Sequence, residues 1–361
     1  MKSTFSGTGG SGALVRIALF AAAVLVGAVP AQAKDKRSDA TRCDRHEVAD
    51  AVTRQLQSVA HLPATQAILP ANNPSANYYH MVMREPLETP AQRFYYGSQL
   101  PQFGDLRLPK GRGPHPVAIV IHGGAWGSAV SLHYTASLSA ALTCAGVATW
   151  NIEYRRLGGG GGWPQTFQDV GAAADFLRDL ATRFPLDLNR VVATGHSAGG
   201  HLSPWLAARH RLRPGDELYV PHPLPLRGVV PLAGPADLAR FIVAVPRFES
   251  AVKQLLGGGS DADIARHMKE GSPAELLPLG VPQIFINGDK DPSVPIEVVR
   301  EYAAKARAAG DSVRVISVAG GHFESVDPAL QPAGRLILES VLSLLGVQLR
   351  DDDDDDDKRS R

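Results

Sequence analysis

"VVATGHSAGGHL", residues 191–202, runs from an apolar stretch through a glycine-flanked serine into residues at helical spacing. It reads as a strand, a sharp turn and a helix, with Ser197 at the turn. A serine forced onto so tight a turn needs small neighbours, here Gly195, Ala198 and Gly199. Its hydroxyl is then lifted above the end of the sheet. In a chain with 36 glycines such a pattern is weak by itself. Its placement between a β run and a helical run gives it weight.

Outward from this turn, the same texture repeats. The runs at 116–121, 147–152, 190–195, 227–233, 282–287 and 313–319 are short and almost uninterrupted by charge. Such runs suit strands buried on both faces, as in a parallel sheet. Helical spacing lies between most of them, at Phe167–Arg183, Ser197–His210 and Ile296–Ala309. In front, "RFYYG" (93–97) and "GDLRLP" (104–109) alternate well enough to predict two edge strands joined by a turn. The expected class is α/β, a mainly parallel twisted sheet with helices on both faces. The connection from Ala233 to Pro282 is too long for an ordinary crossover. It holds Phe241, Ile242, Val243, Phe248, Leu255 and Leu256, which predicts a small helical cap insertion over about 234–280. A simple surface excursion is the competing reading.

A nucleophilic serine needs a base, and the base needs an orienting carboxylate. In a parallel sheet both should follow later strand ends. "INGDKDPSVP" (286–295) offers Asp289 and Asp291, and "VAGGHFE" (318–324) offers His322. The order Ser, Asp, His suits this architecture. Asp289 comes so early after the strand that it is expected to cap the turn. Asp291, followed by the chain-directing Pro292, is the expected triad acid. When Ser197 attacks a carbonyl, negative charge collects on oxygen and must meet N–H groups already in place. "VIHGGAWGSA" (120–129) leaves another buried run with two adjacent glycines, which bring peptide N–H groups close because no Cβ intervenes. Gly123, Gly124 and Ala198 are therefore the expected oxyanion donors. Trp126 borders this loop and reads equally as acyl-pocket wall or as core. His196 and His201 read as packing or local hydrogen-bonding residues, and His122 as a support of the oxyanion loop. Glu153, Arg155 and Asp169 read as loop and helix-end partners.

In order along the chain, "HGGAWG", "EYR" at 153–155, "GHSAGGH", "GSPAELLP", "GDKDPSVP" and "GGHF" resemble the motifs of α/β-hydrolase-fold serine esterases with a His-Gly-Gly oxyanion motif. That group includes hormone-sensitive-lipase-like and kynurenine-formamidase-like enzymes, and the resemblance covers roughly residues 94–345. It implies the α/β-hydrolase fold and the triad Ser197, Asp291 and His322. It also implies carboxylic-ester hydrolysis through an acyl-enzyme, with no cofactor and no metal. Two departures stand out. Ala125 occupies the third glycine position of the lipase-like branch, and Asn287 stands where many relatives have His. An amidase or arylformamidase on the same triad is the nearest alternative. A peptidase, or a binding protein on a non-catalytic scaffold of this kind, is more remote.

The chain ends carry separate signals. Lys2 and Arg16 precede an uncharged run from Ile17 to Val29, and "AQA" at 31–33 offers small residues for cleavage. The run is too short for a span of roughly 20 residues, so residues 1–33 read as a secretory signal peptide. Residues 34–91 read as a short helix (45–60) followed by an arm, and 92–349 as the catalytic domain. Residues 350–361, with seven consecutive aspartates, read as a disordered acidic tail. The expected location is periplasmic or secreted. There a disulfide between Cys43 and Cys144 and two separate thiols are both open readings. A net charge of +1 points to no nucleic-acid or acidic-lipid partner. The expected partner is a small ester or amide substrate; oligomeric state is left open.

Overall fold

A computed structural model describes residues 91–347. The predicted signal peptide, the helix over 45–60, the arm, Cys43 and the acidic tail lie outside the described residues. The chain begins with β1 (Gln92–Tyr95), β2 (Phe103–Arg107) and β3 (His115–Ile121), followed by α1 (Ala136–Cys144) and β4 (Ala148–Ile152). Next come α2 (Gln165–Asp175), α3 (Leu177–Ala181), β5 (Leu186–His196), α4 (Ala198–Ala208) and β6 (Gly228–Leu232). After an insertion, β7 (Gln283–Gly288), α8 (Ile296–Ala308), β8 (Val313–Val318) and α9 (Ala333–Leu345) complete the fold. The helical spacing read at 167–183 is divided between α2 and α3 by a single turn at Phe176.

The strands form one sheet in the order β1-β2-β4-β3-β5-β6-β7-β8. β2 pairs antiparallel with both neighbours, and every pair from β4 to β8 is parallel. The uncharged character of β3 follows from its position. Val117, Ile119 and Ile121 enter the core on one face, Ala118 and Val120 that on the other, and all five are fully buried. Each such Val or Ile contributes about 1.5–3 kcal/mol through its removal from water. α2, α4 and α8 cover the first face, α1 and α9 the second. The chain leaves β3 toward β4 on one side and returns to β5 on the other. The carboxyl ends of β3 and β5 therefore flank a topological switch point, where α/β sheets open a crevice.

The insertion supplies α5 (Leu238–Ala244), α6 (Glu249–Leu255) and α7 (Asp261–Gly271). It is anchored rather than loose: Leu238, Phe241, Val252, Leu255 and Leu256 join the larger core. Asp237 caps α5 by accepting from Arg240 N–H at 2.9 Å, and its other oxygen takes Lys305 of α8 at 2.5 Å. Ser260 and Asp263 form a reciprocal capping box at the start of α7.

Candidate active site

Ser197 stands between β5 and α4 at φ 55° and ψ −114°. A residue with a side chain held there costs about 1–3 kcal/mol, so its surroundings must impose it. Ser197 N–H donates to Leu232 O at 2.8 Å, and His201 N–H donates to Ser197 O at 3.0 Å. A Cβ on Gly199 would overlap the Ile121 carbonyl, which is why the helix can start so close to β3. The Ser197 hydroxyl does not cap its helix. The residue instead lines a narrow cleft with Ala125, Trp126, Ala198, Pro235, Phe241, Phe248, Ser293 and Val294. Phe241 and Phe248, stacked at 5.3 Å between centroids, bring the insertion over this cleft.

The two aspartates after β7 have different partners. Asp291 Oδ1 accepts the Ser293 and Val294 N–H groups at 2.7 and 2.9 Å, and its Oδ2 lies 2.7 Å from His322 Nδ1. Both residues are buried. Asp289 is exposed, and its Oδ1 accepts the Gly320 N–H at 2.9 Å. Asp289 thus ties its turn to the one after β8, while Asp291 orients the histidine. With Nδ1 turned to Asp291, Nε2 is the nitrogen His322 has left for a hydroxyl. The His322 ring lies 4.5 Å from that of His196, the residue before Ser197.

After β3 the structure divides the expected oxyanion donors. Gly123 N–H donates to the Tyr134 hydroxyl, which corrects its assignment as a donor into the cleft. Gly123 is needed for another reason: a Cβ there would sit 2.5 Å from His196 O and 2.9 Å from Ser197 Cβ. Gly124 has φ 105° and is packed against Val130, so no side chain fits. Ala125 and Trp126 follow at φ 51° and 59°, which concentrates backbone strain beside Ser197. His122 supports this loop, with Nε2 2.9 Å from Glu153 Oε1 and its ring stacked 4.4 Å from Tyr154. Burial pushes the Glu153 carboxyl up, yet His122, Arg156 and the Tyr154 N–H outweigh it and hold it below its ordinary value. Arg155 grips Asp169 through two nitrogens at 2.8 and 2.7 Å.

Trp126 is both wall and core: it lines the cleft but is 1% exposed. Its indole N–H donates to His201 Nδ1 at 3.2 Å, and His201 Nε2 reaches Gly271 O, at the end of α7, at 2.8 Å. Burial drives the His201 ring down to about 4 against that backbone bond. Sequence reasoning missed Tyr134. It sits in a short 3-10 turn, Leu132–Thr135, with nothing in its spacing to single it out.

Residues 105–305, more than half of the chain, match the BD-FAE family. Esterase LipC of Mycobacterium tuberculosis is 29% identical over 252 residues, covering 66% of this chain and 61% of LipC. Esterase LipQ of the same organism is 27% identical over 192 residues, covering 51% of this chain and 44% of LipQ. The chain therefore spans less than two thirds of either relative. Esterase B of Lactobacillus rhamnosis superposes with a TM-score of 0.65 at 19% identity, over 87% of this chain and 99% of that one. The likeness is one of fold, the α/β-hydrolase fold.

Proposed function

This chain belongs to the BD-FAE family, and from that premise we propose that it is an exported serine esterase that cleaves carboxylic esters through an acyl-enzyme. The observation that carries this reading is the 2.7 Å bond from His322 to Asp291, on a loop that packs beside the strained Ser197 turn. Ser197 Oγ attacks the ester carbonyl and gives its proton to His322 Nε2. Asp291 keeps Nδ1 protonated and stabilises the imidazolium. The oxyanion is held by the N–H groups of Gly124 and Ala198, with Ala125 beside them on the cleft wall. His322 then returns the proton to the departing alkoxide oxygen. In the second half, His322 removes a proton from water as it attacks the acyl-enzyme, then gives that proton to the departing Ser197 Oγ, which releases the carboxylic acid and restores the serine. The apolar cleft under Phe241 and Phe248 takes the acyl group.

Ser197→Ala tests the mechanism. Turnover of a nitrophenyl ester should fall by at least about 10³ with an unchanged melting temperature, because only the covalent route is lost. Paraoxon should add one diethylphosphoryl group to the parent protein and none to the variant. Activity within tenfold of the parent would overturn the reading. Export is checked separately, by N-terminal sequencing of protein from the native host, which should start near Lys34.

A further inference from the structure

We propose that Tyr134 and His196 are positioning residues, forming a buried relay that locks the oxyanion loop and the His322 loop into one register. The inference rests on the role given to His322 in the preceding reading. His196 Nε2 lies 2.9 Å from the His322 carbonyl oxygen, and its Nδ1 lies 3.3 Å from the Tyr134 hydroxyl. That hydroxyl also meets the Gly123 N–H. Tyr134 is 3% and His196 1% exposed, so the pair is shut off from bulk solvent.

The direction of every bond follows from the two ends. A carbonyl oxygen only accepts, so His196 Nε2 carries the proton and donates to His322 O. Burial and the neighbouring His322 hold the His196 ring well below the ordinary imidazole value, so it is neutral. Its Nδ1 is then bare and accepts the Tyr134 O–H. At the other end Gly123 N–H only donates, and the Tyr134 oxygen accepts it. These bonds run from Gly123 through Tyr134 and His196 to His322.

The ends of this wire are the two loops that must agree for catalysis. Gly123 immediately precedes Gly124, so holding the Gly123 N–H toward Tyr134 anchors the backbone that leads into the Gly124 N–H. At the far end, the His322 carbonyl also accepts from Ser325 Oγ at 3.0 Å. Two bonds thereby hold its backbone while Asp291 holds its ring. Misplacing a reacting group by about 1 Å costs on the order of 10²-fold in rate, and a loose relay would permit such slippage.

The test compares Tyr134→Phe, His196→Gln, the double variant and Ser197→Ala on a nitrophenyl ester. Tyr134→Phe should lower kcat by roughly 10- to 100-fold and leave KM within about threefold, because ground-state binding does not use the relay. The double variant should be no slower than the worse single variant, since either change cuts the same wire. Nitrogen-15 NMR of the histidines, read on the parent protein whatever the variants do, should show His196 protonated at Nε2 and bare at Nδ1 from pH 6 to 8. In Tyr134→Phe the Nδ1 resonance should move to that of a nitrogen without a hydrogen bond. A dead Ser197→Ala with Tyr134→Phe within twofold of the parent in kcat would overturn the relay and spare the esterase reading. So would losses that simply multiply in the double variant, or a proton on His196 Nδ1. An active Ser197→Ala would overturn the esterase reading itself and remove the positioning role with it.

Discussion

Two carboxylates two positions apart, Asp289 and Asp291, illustrate how much one residue's environment decides. Asp291 faces His322 Nδ1 with one oxygen and two backbone N–H groups with the other. An asparagine there keeps the shape but offers an amide N–H, or a wrong tautomer, to the imidazole. Asp291→Asn should therefore cost on the order of 10²–10⁴ in kcat. Asp289 accepts the Gly320 N–H from an exposed position, and an asparagine oxygen accepts the same bond. Asp289→Asn should stay within about tenfold, with stability lowered by roughly 1 kcal/mol at most. Steady-state kinetics with thermal melts on both variants decide the matter. A dead Asp289 variant beside a working Asp291 variant would reverse the assignment.

At the scale of elements, the insertion gives the cleft its roof. Phe248 stands half-buried over Ser197, stacked on the buried Phe241, so removing its ring widens the cleft and leaves the core side of the pair intact. Phe248→Ala should shift the preference toward longer acyl chains. The octanoate-to-acetate ratio of kcat/KM should rise by about tenfold, the scale of one or two methylenes in an apolar pocket. An unchanged ratio across a nitrophenyl ester series would remove Phe248 from the acyl site. The inner strands β3, β4, β6 and β7 were legible in the sequence because burial on both faces strips them of charge, and that signal is local. Ser197, Asp291 and His322 stood out as candidates because each follows a readable strand end. Phe241 and Phe248 were visible only as apolar residues in an overlong connection, since their facing Ser197 depends on how three short helices pack. Tyr134 and the direction of the Gly123 N–H were illegible. Tyr134 meets His196, 62 residues away, and its hydroxyl in turn takes the Gly123 N–H, contacts that no local pattern encodes.

On the scale of the whole molecule, the two histidines beside Ser197 make its stability depend on pH. His196 and His201 are both buried; each donates Nε2–H to a backbone carbonyl and turns Nδ1 to a donor, the Tyr134 hydroxyl or the Trp126 indole N–H. Folding holds His201 at about 4 and His196 well below the usual value near 6.5. In the unfolded chain each takes up a proton as pH drops through about 6.5, while the folded chain does not. The unfolded state then binds more protons, so stability falls with pH by about 1.4 kcal/mol per unit for each ring. The contribution is fully present above 6.5, and for His201 the loss ends near 4, which amounts to about 3 kcal/mol. Glu153, held below its ordinary carboxylate value, acts in the same direction at still lower pH. Urea midpoints should accordingly be level above pH 6.5 and decline steadily from 6.5 to 4. His201→Gln, less stable at pH 7, should show a shallower decline because one titrating ring is gone. Midpoints that hold constant from pH 7 to 5, or an equal slope in His201→Gln, would show that neither ring is kept neutral by the fold.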